Sequence, residues 1–578
     1  MKSTLLLLVL TLSFTGAYAD STWYHPNPWW KVARGNTSIT KNAFEYRQAL
    51  PQFGYPHRWT GSSWDASDWA KWAEHNMISA PHRLVGHSWQ VFIQQNAEIL
   101  KKNPQFLAEV KGKRLGYGKT SKLCVSNIQL QRAFVKNALE RFTKQADFDG
   151  YISVEPSDGA DHCECKECQN MGSISNRVFY LANLAARAIG NKYPKGGVNL
   201  YAYYLHADTP SIRLEPNVHV TVVPSGFQTT YDGDVLMYLW KEKTDNLSYY
   251  DYIAIPQWKG ELPRINIKNY VRRIEIAKKL GYQGFWHEVG LSLPATISIQ
   301  LMSQLWRDPS LSWQEVFDNF ISDCFPNAKV PMTRLFDRWF NEWDEDKEIM
   351  MAYDDISEAE TNQLTIDEKR RLTDIKAYTY YIVAYQKWRR NETSKTTQRF
   401  FTDVFHIANR QVINTSALFQ LFGSKIKESS IRQHYNILAN KNWQWMNTWS
   451  DKQIGDNLSN YYRHNLQEIA KIKKAANSKP ISNKNTLTFK YANTILIEGN
   501  GKEIIMSIKS TDFAISRDGK QYISLISEQG DLIFNYLCPL EKNIRFQSKK
   551  GVIYRFAAKQ IFSSTLTINT PDVKVSVE

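Results

Sequence analysis

The sequence predicts an α/β chain: a (β/α)8 TIM-type barrel, then a helical region, then a small C-terminal all-β, sandwich-like domain. Three observations carry this expectation. From about Trp64 to Pro309, β-rich apolar runs alternate with stretches of helical periodicity, the pattern of a parallel sheet with helical crossovers. From Trp313 to about Ala475 helical periodicity dominates. From Asn485 onward short β-rich runs are separated by turn dipeptides such as Asn500-Gly501 and Asp518-Gly519.

The elements follow in order. Lys2 precedes an apolar core from Leu5 to Leu12, and Ala17-Tyr18-Ala19 is a small-x-small cleavage pattern. Residues 1–19 therefore read as an export signal, and the expected location is periplasmic or extracellular. No later run is long enough to read as a transmembrane helix. Ser63-Trp64-Asp65 caps a helix with Trp69, Trp72 and Ala73 at helical spacing. Ile78–Val85 reads as a strand leading into Gly86-His87-Ser88-Trp89, and Lys122–Val125 as a short one. Gln129–Gln145 carries Leu130, Phe134, Leu139 and Phe142 on one helical stripe. The strand Tyr151–Glu155 is followed by a helix over Ser175–Tyr193, and Val198–Tyr204 and His219–Val223 are strands. Val235–Lys241 is helical, Tyr249–Ile255 a strand, Ile267–Leu280 a helix, and Tyr282–Glu288 another strand. The expected domains are thus 20–325 (barrel), 326–478 (helical) and 485–578 (β), with a Ser/Asn/Lys-rich linker around Asn477–Lys484.

Composition narrows the partners. The formal net charge of +15, on an exported chain without a concentrated basic arm, argues against nucleic acid and is compatible with anionic polysaccharide. The 19 Trp and 30 Tyr exceed what a core needs, and aromatic faces stack on the C–H faces of sugars, so a carbohydrate ligand is favoured. No Gly-x-Gly-x-x-Gly follows a strand and no phosphate loop occurs, which excludes a nucleotide cofactor from the expectation.

Chemistry concentrates in Val154-Glu155-Pro156-Ser157-Asp158-Gly159 and the cysteines that follow. Glycosidic hydrolysis needs one carboxylic acid and one carboxylate, which a barrel places at different strand exits. Asp158 and Glu288 are the preferred pair, with Glu155 and Asp251 in reserve. In Phe285-Trp286-His287-Glu288, alternation puts Glu288 beside Trp286, where desolvation raises a carboxyl pKa. Candidate sugar contacts are His87, Tyr204, His206, Trp258, Trp286 and His287. Cys163, Cys165 and Cys168, with Cys124 on the neighbouring strand, admit two readings. One is a structural zinc site completed by Cys124, His162 or Asp161; the other is a disulfide from Cys124 into the cluster.

These motifs also carry a resemblance. Gly86-His87-Ser88-Trp89, Asn103-Pro104-Gln105-Phe106, Gly112-Lys113-Arg114 and Leu123-Cys124-Val125-Ser126-Asn127 resemble an uncharacterised family of secreted bacterial proteins. Pro156-x-Asp158-Gly159 before Cys-x-Cys-x-x-Cys, and Leu305-Trp306-Arg307-Asp308-Pro309, extend the match over roughly His57–Trp339. The resemblance implies a glycoside-hydrolase-like TIM barrel distantly similar to α-glucuronidases and β-N-acetylhexosaminidases. The chain departs from them in lacking an α-glucuronidase-like amino-terminal domain and the adjacent Asp-Glu pair of hexosaminidases. The expectation is an exported glycoside hydrolase acting on a poly- or oligosaccharide; the alternative is a barrel that binds glycan without cutting it.

Overall fold

A computed structural model describes residues 46–51, 85–461 and 486–577, apart from 119–120, 147–149, 226–230, 255–266, 291, 309–310, 342–345, 408–409, 411, 414, 429–447, 491–494, 511–520, 539–540, 559–562 and 571–572. The export signal, the Trp69/Trp72 helix, the linker and Trp258 lie outside the described residues.

Six strands form one curled parallel sheet: β1 (Tyr46–Pro51), β2 (Tyr151–Ser153), β3 (Gly197–Ala202), β4 (Val218–Val222), β5 (Leu247–Ile253) and β6 (Gly284–Val289). Their lateral order is β1-β6-β5-β4-β3-β2, so the last strand pairs with the first. That is the order of a barrel wall interrupted between β1 and β2. Of the two strands expected in that interval, Ile78–Val85 lies outside the described residues up to Leu84. Lys122–Val125 is not a strand; Leu123 makes a single antiparallel bridge to Leu107. Its backbone is spent on a hairpin-like cover, since Ala108 N donates to Lys122 O (2.9 Å) and Cys124 N to Phe106 O (2.8 Å).

Helices α1 (Ser88–Gln95), α2 (Ile128–Gln145), α3 (Ile174–Lys192), α4 (Gly233–Lys243), α5 (Ile267–Leu280) and α6 (Leu293–Arg307) accompany the strands. Asn127, Ser173 and Asp232 accept backbone N–H groups at the starts of α2, α3 and α4, as capping requires. Strands β4 and β5 are buried on both faces, and their polar side chains find partners there: His219 bonds to Asn246 and Ser248, and Thr221 to Ser248. After α6 the chain is helical, including α7 (Ile366–Arg390) and α8 (Ser394–His406). One contiguous cluster of buried side chains runs from the sheet (Val220, Phe285) through Trp306 into these helices (Phe336, Tyr378, Phe401).

The C-terminal residues form two antiparallel sheets, of five and four strands, around a shared core that includes Ile497, Met506, Leu525, Phe546 and Phe556. This unit is tied to α4 and α5. Arg555 donates to both oxygens of Asp232 (2.7 and 3.0 Å) and to Asp234 Oδ2 (2.6 Å). Asp234 also accepts from Arg272 Nε (2.6 Å) and Arg273 Nε (3.1 Å). Burial alone would raise the Asp234 pKa; three guanidinium groups outweigh it and hold the carboxyl below the ordinary range. Lys279 pairs with Asp531, and Gly530, at φ +76°, lies where a Cβ would come within 2.9 Å of Ile276.

Removing one partner of such a buried set strands the others without compensation. Arg555→Ala is expected to lower the unfolding free energy by about 3–5 kcal/mol, measured by urea denaturation. A loss below about 1 kcal/mol would show that Asp232 and Asp234 are hydrated without it.

Candidate functional site

Strand pairing sorts the side chains of β5 and β6 onto two faces. Tyr250 is registered with Trp286 and Tyr252 with Glu288, whereas Asp251 is registered with His287. The first set faces the sheet interior and the second packs toward α6.

On the interior face, Glu288 is 4 % exposed and its Oε2 finds no partner among the described residues. Its carboxyl pKa is pushed up to about 8, first by burial and further by the nearby Asp158 charge, against a hydrogen bond with Tyr250. Tyr250 in turn bonds to Tyr252, and Tyr252 to Tyr203. Trp286 packs against Tyr250 (ring centroids 4.6 Å) and Tyr201 (6.5 Å, nearly parallel), forming an aromatic wall beside the acid.

Asp158 sits on the loop after β2 and is 61 % exposed, with its Oδ2 3.2 Å from His87 Nε2. His87, at the start of α1, donates from Nδ1 to Pro156 O (3.0 Å), which aims the other nitrogen at Asp158. The hydrogen bond with Asp158 raises the His87 pKa to about 9 despite partial burial. The same bond, with the imidazolium charge, lowers the Asp158 carboxyl. The two carboxyls are thus driven in opposite directions. Such a division supplies a proton donor and a carboxylate together at neutral pH.

Glu155 lies beneath them, 1 % exposed, accepting from Tyr201 N (2.8 Å) and His206 Nε2 (3.1 Å). His206 is itself buried, so its place is under the site, holding Glu155, and not on a sugar-facing surface. Tyr204 follows β3 in the left-handed region (φ 52°) with its ring near Tyr203 (6.0 Å). A non-glycine residue held there is strained by about 1–3 kcal/mol, a cost that recurs at functional sites.

Two expected site residues are not brought here. Asp251 points to the opposite face, where Arg273 Nη1 meets both its oxygens (2.8 and 2.9 Å) and Ser225 Oγ donates to it (2.7 Å). His287 is fully buried on that face, stacked on Phe285 (4.7 Å), and its Nδ1 accepts from Asp251 N (2.9 Å). Both follow from the two-residue period of a strand: neighbours of Glu288 and Tyr252 must face the helices.

Two groups of the site carry no expectation from the sequence. Lys122 is 2 % exposed, and burial lowers its ammonium pKa to about 8 against the raising charges of Glu155, Asp158 and Asp161. Tyr250 completes the phenol string with Tyr252 and Tyr203, and its strand alternation with Asp251 was the available signal. No local signal marks Lys122, because its carboxylate neighbours lie at least 33 positions away.

The four cysteines converge beside this loop. The sulfurs of Cys124, Cys163, Cys165 and Cys168 lie within 4.8 Å of one another, all buried. Cys124 Sγ is 3.7 Å from Cys165 Sγ and 3.9 Å from Cys168 Sγ, far beyond the roughly 2.05 Å of a disulfide. The disulfide alternative is therefore corrected: these thiols are free. A tetrahedral ion with metal–sulfur bonds of about 2.3 Å spaces its sulfurs at about 3.8 Å, which the geometry matches. Backbone donors support thiolate charge: Glu109 N on Cys163 Sγ (3.3 Å) and Ser126 N on Cys168 Sγ (3.4 Å). The donor set thus fits a soft metal ion, with Cys124 as fourth ligand in place of His162 or Asp161. His162 is instead wedged between Trp89 and His206. Cys324 is buried elsewhere, and the side chain of Cys538 lies outside the described residues.

Among the described residues no helix is long and apolar enough to cross a membrane. The pattern of a domain of unknown function, DUF4838, matches residues 18–336. No curated protein matches the chain. Among solved structures, one similar chain is described as a family GH115 4-O-methyl-α-glucuronidase, BtGH115A, with specificity for decorated arabinogalactans. It is 10 % identical with a TM-score of 0.36, over 92 % of this chain and 82 % of that one.

Proposed function

The chain belongs to the DUF4838 family, and from that premise we propose an exported glycoside hydrolase acting on a poly- or oligosaccharide. In this reading Glu288 is the general acid and Asp158 the base or nucleophile. The supporting observation is the divided pair: Glu288 buried and drawn up to about 8, Asp158 exposed and drawn down by His87. Trp286, Tyr203 and Tyr204 would present aromatic faces to the sugar. His87 and Glu155 are positioning residues, and Asp251 is released from the reserve. The domain division follows the expected bounds: 20–325 carries the curled parallel sheet, 326–478 is the helical region and 485–578 the β domain. The Cys124/Cys163/Cys165/Cys168 site holds Zn²⁺, which fixes the loop carrying Asp158; the zinc is structural, since four thiolates leave no open position.

The test is release of reducing ends from plant, host and uronate-rich glycans by the purified chain. On a cleaved glycan, kcat/KM should fall above about pH 8, as Glu288 loses its proton. It should fall again below the ordinary carboxylate range, as Asp158 gains one. A profile flat through pH 8 would remove Glu288 from the acid role. One observation favours the second reading, a glycan-binding barrel without turnover: the Asp158 carboxylate is already engaged by His87 at 3.2 Å. Binding of a glycan that is never cut, unchanged in His87→Ala, would establish it.

A further inference from the structure

A second cavity, of about 790 Å³, lies outside the sheet, among α7, α8 and residues 457–461. That volume is in the range of small-ligand sites, about 300–1,000 Å³. Its polar lining is dominated by cations: Lys387, Arg390 and Arg399 face one carboxylate, Asp403. The Lys387 ammonium stands 4.4 Å from the centroid of the Tyr461 ring. Below, Trp388 and Phe400 stack at 4.8 Å and form a rigid floor.

The charges in this groove are unbalanced. Burial, and the neighbouring Arg399 charge, lower the Lys387 pKa, and Asp403 opposes them. Asp403 is a single carboxylate among these cations; burial raises its pKa, while Arg399, the hydrogen bond with Tyr380, His406 and Lys387 oppose that rise. An anion placed between Lys387 and Arg399 would relieve their repulsion. The side-chain amides of Asn457 and Asn460 and the rings of Tyr380 and Tyr461 add neutral donors and flat apolar surface. Cations that bind an acidic group, beside aromatic rings and amides that suit a hydroxylated ring, are the requirements of an acidic sugar.

We propose that this groove is a second saccharide site, separate from the carboxylate pair, which binds a sugar bearing a carboxylate or sulfate group. It goes beyond the hydrolase reading and does not need it. The test is calorimetric titration of the full chain carrying Glu288→Gln, with four probes: oligogalacturonate, a sulfated heparin-derived oligosaccharide, a neutral xylo-oligosaccharide and inorganic sulfate. One or both acidic oligosaccharides should bind, and which of them binds tells carboxylate from sulfate recognition. The double variant Lys387→Ser/Arg399→Ser should weaken that binding at least tenfold, and Arg399→Lys should restore part of it. Lys387 and Arg399 are both exposed side chains, so the melting temperature should change little. The proposal is overturned if neither acidic oligosaccharide binds, if the double variant keeps its affinity, or if the xylo-oligosaccharide or inorganic sulfate binds as tightly. Because Glu288 is already replaced, none of these outcomes depends on turnover in the barrel.

Discussion

Glu288→Gln is expected to abolish hydrolysis, by about 10²–10⁴-fold in kcat, while the folded chain becomes more resistant to heat at alkaline pH. Both effects come from one cause. The Glu288 side chain sits against Tyr250 and Trp286, and its pKa of about 8 lies above the usual 4.5. The folded state therefore holds this proton more tightly than the unfolded chain does. Its contribution is complete below about pH 4.5 and is lost as pH rises through about 8. Ionising the buried carboxyl costs on the order of a few kcal/mol, which Gln avoids. Melting curves of parent and variant should coincide near pH 4 and separate above pH 8, with the variant higher. A variant that melts lower at every pH would mean that Glu288 is held ionised by a partner, and the acid role would fail with it.

Removal of the metal is expected to have the second largest effect. The purified chain should carry one equivalent of zinc by metal mass spectrometry, and Cys165→Ser or Cys168→Ser should lose it. Zinc held by thiolates contributes about 10–16 kcal/mol of apparent binding in small peptides, so even a fraction of that is large here. The melting temperature should drop by about 10 °C or more, at roughly 2–4 °C per kcal/mol. The loss should extend to catalysis, because Cys163 lies five positions after Asp158 and Arg177 clamps its carbonyl (2.6 Å). A chain that purifies without metal and melts identically as the serine variants would leave the cluster as four buried thiols.

Much of the sheet was legible. The expected strands His219–Val223 and Tyr249–Ile255 overlap the observed Val218–Val222 and Leu247–Ile253, because β-branched and aromatic residues mark both runs. The helix over residues 174–192 was marked by the stripe Val178, Leu181, Leu184, Ala185. Lys122–Val125 misled because its apolar residues serve the cover over the cysteines and not a ladder. Among site residues, Glu288 stood out at the end of an apolar strand and Asp158 on the glycine-containing turn beyond one. Asp251 lies inside its strand, and Arg273, 22 positions later on α5, accounts for its place on the opposite face. His206 and His287 illustrate the same limit. A histidine's partner is fixed by sheet register, which sequence periodicity places on a face but not beside a neighbour. The cysteine pattern put three thiols on one turn; choosing Cys124 over His162 or Asp161 as the fourth group required knowing that Leu123 bridges Leu107 and brings Cys124 across.

The ties between Arg555 and the carboxylates of Asp232 and Asp234 bear on how the chain is made. Asp232 leaves the ribosome 323 residues before the guanidinium that neutralises it. At about 5–20 residues per second, that interval is roughly 15–65 s. Through it, Arg272 and Arg273 alone face Asp234, and Asp232 must stay in water. The edge of α4 therefore stays unlatched until the strand carrying Arg555 arrives.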